Sequence, residues 1–352
     1  MDKIKETIEA IKPLDKNAMK LAKERQDFLT KPQGSLGVLE ELSIKVAGVT
    51  GDPRPTIKNK VIITMAGDHG VVEEGVSAFP QEVTPQMVYN FIRGGAGINV
   101  LANHVGARVI VVDLGVATDL EPSSNLINKK VAYGTKNMAK GPAMTREEAE
   151  KAVVAGIEVV EEEIKKGMDI AGIGDMGIGN TTPSSAIVAA ITGRSVDEVT
   201  GRGTGIDDQA LEKKIKIIKK SLEVNKPDPK DPLDVLAKVG GLEIGGLAGV
   251  VLGCAKNRIP VVIDGFISGA AALVAAELAP QSRDYMIAAH QSVEVGHKIL
   301  LDHLGLKPLL NLDLRLGEGT GAALGISLTE AGVRILNEMA TFADAGVSES
   351  DE

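Results

Sequence analysis

The chain has 352 residues, 43% of them hydrophobic and 25% charged, which is ordinary for a soluble globular protein with one large domain or two moderate ones. Its net charge of −9, without a basic run and without tryptophan, argues against a nucleic-acid-binding surface. The single cysteine, Cys254, excludes an intramolecular disulfide and fits a reducing compartment. The charged N-terminus carries no signal segment and no apolar run reaches the length of a membrane span, so we expect a cytoplasmic protein without membrane contacts.

Along the chain, apolar runs predict strands that alternate with amphipathic helices. Runs that are apolar throughout are typical of buried parallel strands, and segments with helical periodicity separate them. The predicted strands cover residues 60–66, 108–114, 168–173, 259–264 and 309–316. The first predicted helices cover most of residues 1–30, a segment after Ser35 that ends at residue 48, residues 87–93, and a segment after Gly97 that ends at residue 105. The later ones cover residues 145–166, 182–192, 207–225, 231–257, 268–278, 282–304 and 322–342. The polar residues 118–142 are predicted to form a long excursion without regular structure.

This alternation predicts an α/β fold with three α/β/α layers around a mainly parallel, Rossmann-like sheet. We expect residues 56–325 to form this main domain. The segments 1–55 and 326–352 contain helices without strands of their own. We therefore expect these two segments to pack together as a small helical subdomain, with an acidic tail at the end of the chain.

Glu318 is the candidate catalytic residue. It stands between two glycines in the segment Leu316-Gly-Glu-Gly-Thr-Gly321, after a predicted strand and before a predicted helix. Glycine on both sides permits a tight turn and a close ligand, and a carboxylate among apolar neighbours suits a general base. Taken alone, the motif is equally compatible with a solvated glutamate in an ordinary loop.

A second glycine-rich stretch runs from Gly172 to Thr182, between a predicted strand and a predicted helix. Its Gly172, Gly174 and Gly177 match the dinucleotide fingerprint G-x-G-x-x-G. The continuation to Thr182 favours instead a mononucleotide loop, whose backbone N–H groups bind phosphate at a helix N-terminus. A tight turn that binds no ligand is the third interpretation.

Other polar patterns are less specific. The segment Gly201-Arg-Gly-Thr-Gly205 is a further candidate phosphate site, whereas Lys213 and Lys214 in the next helix are each predicted to lie on a solvated face. His290 and His297 are spaced to share a helix face. Two histidines without a third ligand are more often structural than metal-binding, so we predict no metal site.

Several motifs together resemble the nicotinate-nucleotide:dimethylbenzimidazole phosphoribosyltransferase family, which makes the lower-ligand nucleotide of cobalamin. None of them is decisive alone, but they occur in the family's order along most of the chain. The resembling segments are residues 31–37 (KPQGSLG), 66–70 (AGDHG), 75–80 (GVSAFP), 82–87 (EVTPQM), 174–182 (GDMGIGNTT), 201–205 (GRGTG), 264–268 (DGFIS) and 316–321 (LGEGTG).

The resemblance implies transfer of the phosphoribosyl group of nicotinate mononucleotide to dimethylbenzimidazole, with release of nicotinate and α-ribazole phosphate. It also implies a homodimer without a cofactor, and Glu318 as the base. Asp175 stands where some members carry glutamate, and its carboxylate reaches less far. The implied substrate-binding residues are Gly174, Asp175, Met176, Gly177, Ile178, Gly179, Asn180 and Thr181 around the phosphate, then Gly203, Asp264 and Leu316, and finally Phe79, Pro80 and Gln86 around the acceptor base.

The chemistry of this reaction agrees with these residue types. Nicotinate is a good leaving group, and the transition state resembles an oxocarbenium ion, so neither a strong acid nor a metal is required. One carboxylate in a dry pocket can take the proton of the incoming benzimidazole. The alternatives are an NAD-dependent dehydrogenase, revealed by hydride transfer, and a non-catalytic nucleotide-binding or corrinoid-handling protein, revealed by binding without turnover.

Overall fold

The computed structural model describes residues 2–203 and 205–348, and a six-stranded parallel sheet forms its centre. The strands are β1 Lys60–Gly67, β2 Ala107–Gly115, β3 Leu126–Asn128, β4 Ile170–Met176, β5 Val261–Ile263 and β6 Met286–Ala288. The helices are α1 Asp2–Glu9, α2 Lys16–Phe28, α3 Val38–Thr50, α4 Val83–Arg93, α5 Gly97–Val105, α6 Arg146–Lys165, α7 Thr181–Thr192, α8 Val196–Val199, α9 Asp208–Asn225, α10 Pro232–Val239, α11 Leu242–Lys256, α12 Phe266–Leu278, α13 Val295–Leu304, α14 Thr320–Glu338 and α15 Phe342–Ala345. Among the helices of the described residues, none is both long and apolar enough to cross a bilayer.

The strand order is β3-β2-β1-β4-β5-β6, and each neighbouring pair is parallel. From β1 the chain first adds strands on one side, through β2 and β3, and then returns to the other side of β1 with β4. In doubly wound sheets such a reversal creates a crevice at the carboxyl ends of the strands, where ligands bind. The predicted α/β class with a mainly parallel sheet is confirmed.

Alternate residues of β1 pack against opposite layers of helices. Val61, Ile63 and Met65 belong to the core that also contains residues of α6, α11 and α12. Ile62 and Ala66 belong to the core that contains residues of α5 and α14. Both faces of the strand are covered, which explains why its sequence is apolar throughout instead of alternating.

The strand predicted for residues 309–316 is wrong. Within the described structure this segment makes one isolated bridge, between Leu310 and His290, and Asp313 has a left-handed φ of 53° that interrupts any extended pairing. The alternating leucines that suggested a strand do not face a sheet, since Leu316 is 60% exposed. The segment runs along the edge of the sheet that is formed by the carboxyl ends of the strands, and it connects the sheet to α14.

Two short strands were not predicted. β3 lies within the polar residues 118–142, and β6 lies within residues 282–304, which we predicted to be entirely helical. Only the part from Val295 onward forms that helix. Each of the two strands has three residues, and a segment of this length is too short to show a strand period.

The terminal helices have two different sets of neighbours. α2 and α3 contact α14, where Arg25 Nε donates to the carbonyl oxygen of Leu336 at 2.6 Å. α1 instead packs against α6 and α11 in the opposite layer. A subdomain made of residues 1–55 and 326–352 stays a prediction, and the acidic tail at 349–352 lies outside the described residues.

Candidate active site

A cavity of about 250 Å³ opens at the carboxyl edge of the sheet, where β4, β5 and β6 end. Its wall includes the loop with Ser77 and Phe79, the loop after β4, the residues that follow β6, and the segment before α14. These segments come from distant parts of the chain and meet because parallel strands end at the same edge. The cavity therefore occupies the position expected for the ligand site of a doubly wound sheet.

β4 is longer than predicted and contains the first two glycines of the fingerprint pattern. At Gly172 an added Cβ would come within 2.6 Å of Ile62, and at Gly174 it would collide with the carbonyl oxygen of Glu318. These two glycines therefore permit close packing of the strand and do not form a ligand loop. The loop proper begins at Gly177, so the strand–turn–helix geometry of a dinucleotide fingerprint is not formed here.

The turn that carries Glu318 has an unusual backbone. Gly317, Glu318 and Gly319 have φ angles of 79°, 65° and 99°, so three consecutive residues are left-handed. For a glutamate this conformation costs on the order of 1 kcal/mol or more. Thr64 Oγ1 donates to the Glu318 carbonyl oxygen at 2.9 Å, and Asp264 Oδ2 accepts the N–H of Gly319 at 3.1 Å. A strained residue held in place by buried contacts is typical of functional sites.

The Glu318 side chain lies against the first turn of α5. It is 5% exposed, and its Oε2 accepts the N–H of Ile98 at 3.0 Å. Burial raises the pKa of Glu318, and hydrogen bonds from the N–H groups of Ile98 and Gly97 oppose this effect. A carboxylate that is oriented by backbone donors and has a raised pKa is well suited to accept a proton.

Two further buried carboxyl groups lie at the same edge of the sheet. Asp264 accepts the N–H of Ala322 at 2.9 Å and so caps the start of α14, while Asp175 accepts a hydrogen bond from Asn180 Nδ2 at 2.8 Å. Burial raises the pKa of Asp264 to about 7. Burial, together with the negative charge of Asp264, raises the pKa of Asp175 to about 8. Its surroundings therefore favour the protonated form of Asp175.

Lys214 is buried, so the prediction that it lies on a solvated face is wrong. Its Nζ donates to Thr181 Oγ1 at 2.7 Å and to the carbonyl oxygen of Gly201 at 3.3 Å. Burial lowers the pKa of Lys214 to about 8, and the charge of Glu294 opposes this. The sequence held a signal for this burial, because Lys214 precedes the buried Ile218 by about one helical turn. Its ammonium group stands at the N-terminus of α7.

The structure brings part of the predicted site together in the cavity. The predicted residues that line it are Phe79, Asp175, Gly177, Gly179, Asn180, Thr181, Gly203 and Leu316. The other described residues of the prediction, which do not line it, are Gly174, Met176, Ile178, Asp264, Pro80, Gln86 and Glu318. Glu318 directly follows the lining residue Gly317, and Pro80 and Gln86 are near the loop that contains Phe79.

Some polar residues of the wall were absent from the prediction. They are His290, Ser292, Glu294 and Arg315. The first three follow β6, and their place at the carboxyl edge was not predictable because the sequence pattern favours a helix there. For the same reason His290 and His297 do not share a helix face, since α13 begins only at Val295. Arg315 adds a guanidinium group, which suits phosphate or carboxylate ligands.

The raised pKa of Asp175 predicts how stability depends on pH. Between the ordinary pKa of 3.8 and the folded value of about 8, the folded state keeps a proton that the unfolded state releases. The free energy of unfolding of the wild type should therefore fall as the pH rises through this range. Asp175→Asn keeps an oxygen for Asn180 and should flatten this dependence by on the order of 1–3 kcal/mol between about pH 5 and about pH 8.

Urea unfolding followed by circular dichroism at both pH values measures this difference. Asp302→Asn is the matched control, because Asp302 is an exposed aspartate on α13 and this variant should keep the wild-type dependence. Equal slopes for wild type and Asp175→Asn would contradict the prediction.

The chain is similar to known proteins of one enzyme family. A family model described as a phosphoribosyltransferase matches residues 11–347. Relatives named nicotinate-nucleotide–dimethylbenzimidazole phosphoribosyltransferase include one from Desulforudis audaxviator, 63% identical over 99% of both chains, and one from Chloroflexus aggregans, 61% identical over 100% of both. The solved structure of CobT from Thermus thermophilus matches with a TM-score of 0.92 at 46% identity, covering 95% of this chain and 100% of that one. The chain therefore belongs to the nicotinate-nucleotide–dimethylbenzimidazole phosphoribosyltransferase family.

Proposed function

We propose that the chain transfers the phosphoribosyl group of nicotinate mononucleotide to 5,6-dimethylbenzimidazole, giving α-ribazole 5′-phosphate and nicotinate for the nucleotide loop of cobalamin. One observation carries this proposal. The buried carboxylate of Glu318 is fixed in a left-handed turn beside a cavity, and another wall of that cavity is a glycine loop that opens a helix. Full-length relatives at 61% and 63% identity bear the name of this activity.

The phosphate of the mononucleotide is assigned to the loop from Gly177 to Asn180. Backbone N–H groups that precede a helix bind anions, and the helix dipole adds to this attraction. Lys214 supplies a positive charge at the same helix N-terminus through its contact with Thr181. Arg315 supplies another in the cavity wall. Together these groups suit the dianionic phosphate of a nucleotide.

The acceptor base is assigned to the part of the cavity formed by Phe79 and Leu316. Their side chains are 51% and 60% exposed and offer apolar surface to a flat aromatic ring. Pro80 and Gln86, which follow Phe79 in the chain, are assigned as further acceptor contacts. Leu316 also lies beside the Glu318 carboxylate, since an added Cβ at Gly97 would meet both side chains, at 3.0 Å and 3.3 Å.

In this arrangement each part of the reaction has a group that serves it. Nicotinate departs with the electrons of the glycosidic bond, which neutralises its pyridinium ring, and the ribosyl carbon gains oxocarbenium character. The unprotonated nitrogen of dimethylbenzimidazole attacks the opposite face of the sugar and forms the α-glycosidic bond. Glu318 accepts the proton from the other ring nitrogen, so the product leaves uncharged at its base.

The activity itself is tested by incubating the protein with nicotinate mononucleotide and dimethylbenzimidazole. Mass spectrometry should identify α-ribazole 5′-phosphate and nicotinate, formed in equal amounts. Binding of both compounds without products would favour a non-catalytic nucleotide-binding protein. Hydride transfer with added NAD would favour a dehydrogenase, and either result contradicts the proposal.

Glu318→Gln tests the base. The variant keeps the shape of the side chain and loses its basicity, so turnover should fall by about 10²–10⁴-fold while binding of nicotinate mononucleotide stays near wild type. Steady-state kinetics and calorimetry measure the two quantities. Glu338→Gln is the control, since Glu338 lies exposed at the end of α14, the helix that follows the Glu318 turn, in a pair with Arg334. Wild-type turnover in a folded Glu318→Gln protein would exclude Glu318 as the base.

Lys214→Gln tests the phosphate assignment. Loss of the buried ammonium group should raise the KM for nicotinate mononucleotide by roughly tenfold or more and leave the KM for dimethylbenzimidazole unchanged, because only the first substrate carries phosphate. The neighbouring Lys213 is exposed, so Lys213→Gln should behave like wild type. An equal rise of both KM values in Lys214→Gln would argue against a phosphate contact.

We also propose that the protein acts as a cytoplasmic homodimer. The homodimer is supported by the family resemblance, and a reducing compartment is supported by the single cysteine, Cys254, which is fully buried. Sedimentation equilibrium on the purified protein tests the oligomeric state.

A further inference from the structure

The segment Gly67-Asp-His-Gly70 lies at the ligand edge of the sheet but has no part in the mechanism above. His69 is 1% exposed, and its Nε2 lies 2.8 Å from Oε1 of Glu243, which is fully buried. His69 is absent among the described residues that line the cavity. Burying a pair of ionisable groups is costly in itself, and this one adjoins the loop assigned to the phosphate.

Glycines from separate segments make room for this pair. Gly67 ends β1, Gly177 opens the loop after β4, and Gly241 precedes α11. An added Cβ would come within 2.9 Å of Glu243 Oε2 at Gly67, 3.1 Å of His69 Nε2 at Gly177 and 2.5 Å of His69 Cε1 at Gly241. Backbone of three separate segments thus lies close to the pair, and Gly177 is also part of the cavity wall.

The two members of the pair have different neighbours. The imidazole lies next to Gly177 and Gly241, whereas the carboxylate of Glu243, in the first turn of α11, lies next to Gly67 and Gly241. A helix N-terminus favours the negative charge of Glu243. Burial by itself lowers the pKa of His69, but the charge of Glu243 and the hydrogen bond to it outweigh burial and raise the pKa. The imidazole is therefore the member of the pair that adjoins the glycine loop at Gly177.

Other titratable groups also face the pair. Asp68, on the same strand end, raises the pKa of His69 further, and its own carboxylate accepts the N–H of Ala117 at 2.8 Å. Asp175 of β4 also lies near the pair, and the negative charge of Glu243 contributes to its raised pKa. A protonated His69 offsets part of this negative charge at the place where an anionic substrate has to bind.

We propose that His69 is a positioning residue of the mononucleotide site, whose imidazolium, held by Glu243, supports the loop from Gly177 to Asn180 and adds positive charge behind the bound phosphate. It acts through the loop and does not touch the substrate. This inference rests on the phosphate position proposed above. Because the acceptor base carries no phosphate, the pair acts on the mononucleotide alone.

His69→Gln tests the inference, since glutamine keeps a donor for Glu243 and removes the charge. The KM for nicotinate mononucleotide should rise about tenfold, and the KM for dimethylbenzimidazole should change by less than about twofold. The ratio of variant to wild-type mononucleotide KM should be largest near about pH 6 and should fall as the pH rises. The ratio falls because the wild type itself loses the positive charge of His69 when the pH passes the raised pKa of this residue. A merely structural role would give a ratio that is independent of pH.

Two further variants complete the experiment. Glu243→Gln removes the partner that keeps His69 protonated and should raise the same KM, which provides a second measurement where His69→Gln does not fold. His303→Gln is the matched control, because His303 forms a histidine–glutamate pair of 3.0 Å with Glu277 at the surface, and it should behave like wild type.

The outcomes separate this inference from the proposed function. Unchanged mononucleotide KM values, a loss that is equal for both substrates and independent of pH, or failure of both His69→Gln and Glu243→Gln to fold would overturn the role of His69. Calorimetric titration with nicotinate mononucleotide measures the corresponding ratio of variant to wild-type dissociation constants, without turnover. A wild type that binds the nucleotide but forms no product would contradict the proposed function alone.

Discussion

The candidate site depends on the contact between β4 and the turn that precedes α14. Because Gly174 has no side chain, the carbonyl oxygen of Glu318 can lie directly against the strand, where Thr64 of β1 donates a hydrogen bond to it. Asp264, at the end of β5, binds the backbone on the other side of the same residue. Three adjacent strands thus hold Glu318 in a left-handed backbone conformation, which would be unfavourable in a loop without these contacts. The position of its carboxylate therefore depends on the sheet.

Charge is distributed unevenly around this turn. The buried carboxyl groups of Asp175, Asp264 and Glu318 gather where α14 begins, and burial raises the pKa of each, with repulsion from neighbouring carboxylates adding to the shift of the two aspartates. Lys214 and His69 instead adjoin the glycine loop before α7. We therefore infer that the carboxyl groups favour uptake of a proton and that Lys214 and His69 favour an anion, which are the two requirements of phosphoribosyl transfer to a nitrogen base.

The glycines of the chain serve two different purposes. Their clustering in the sequence predicts ligand loops, and Gly177, Gly179 and Gly203 do line the cavity. Gly172 and Gly174 instead allow β4 to approach β1 and the turn before α14, because any side chain there would collide with its neighbours. The two purposes are connected, since the close packing at Gly174 places the turn that carries Glu318 beside the loop that begins at Gly177.

The sequence by itself determined the alternation of strands and helices, the apolar β1, the glycine loop and the candidate glutamate. These features depend on periodicity and turn chemistry within a few neighbouring residues, and the motif order adds the family. Only the tertiary structure decided that residues 309–316 form no strand, that the three-residue β6 completes the sheet, that His69 is buried, and that Lys214 meets the N-terminus of α7. Each of these is decided by groups far away in the chain, such as Thr181 for Lys214 and Glu243 for His69. A pattern of adjacent residues does not identify such distant partners, because these contacts form only when separate segments meet at the edge of the sheet.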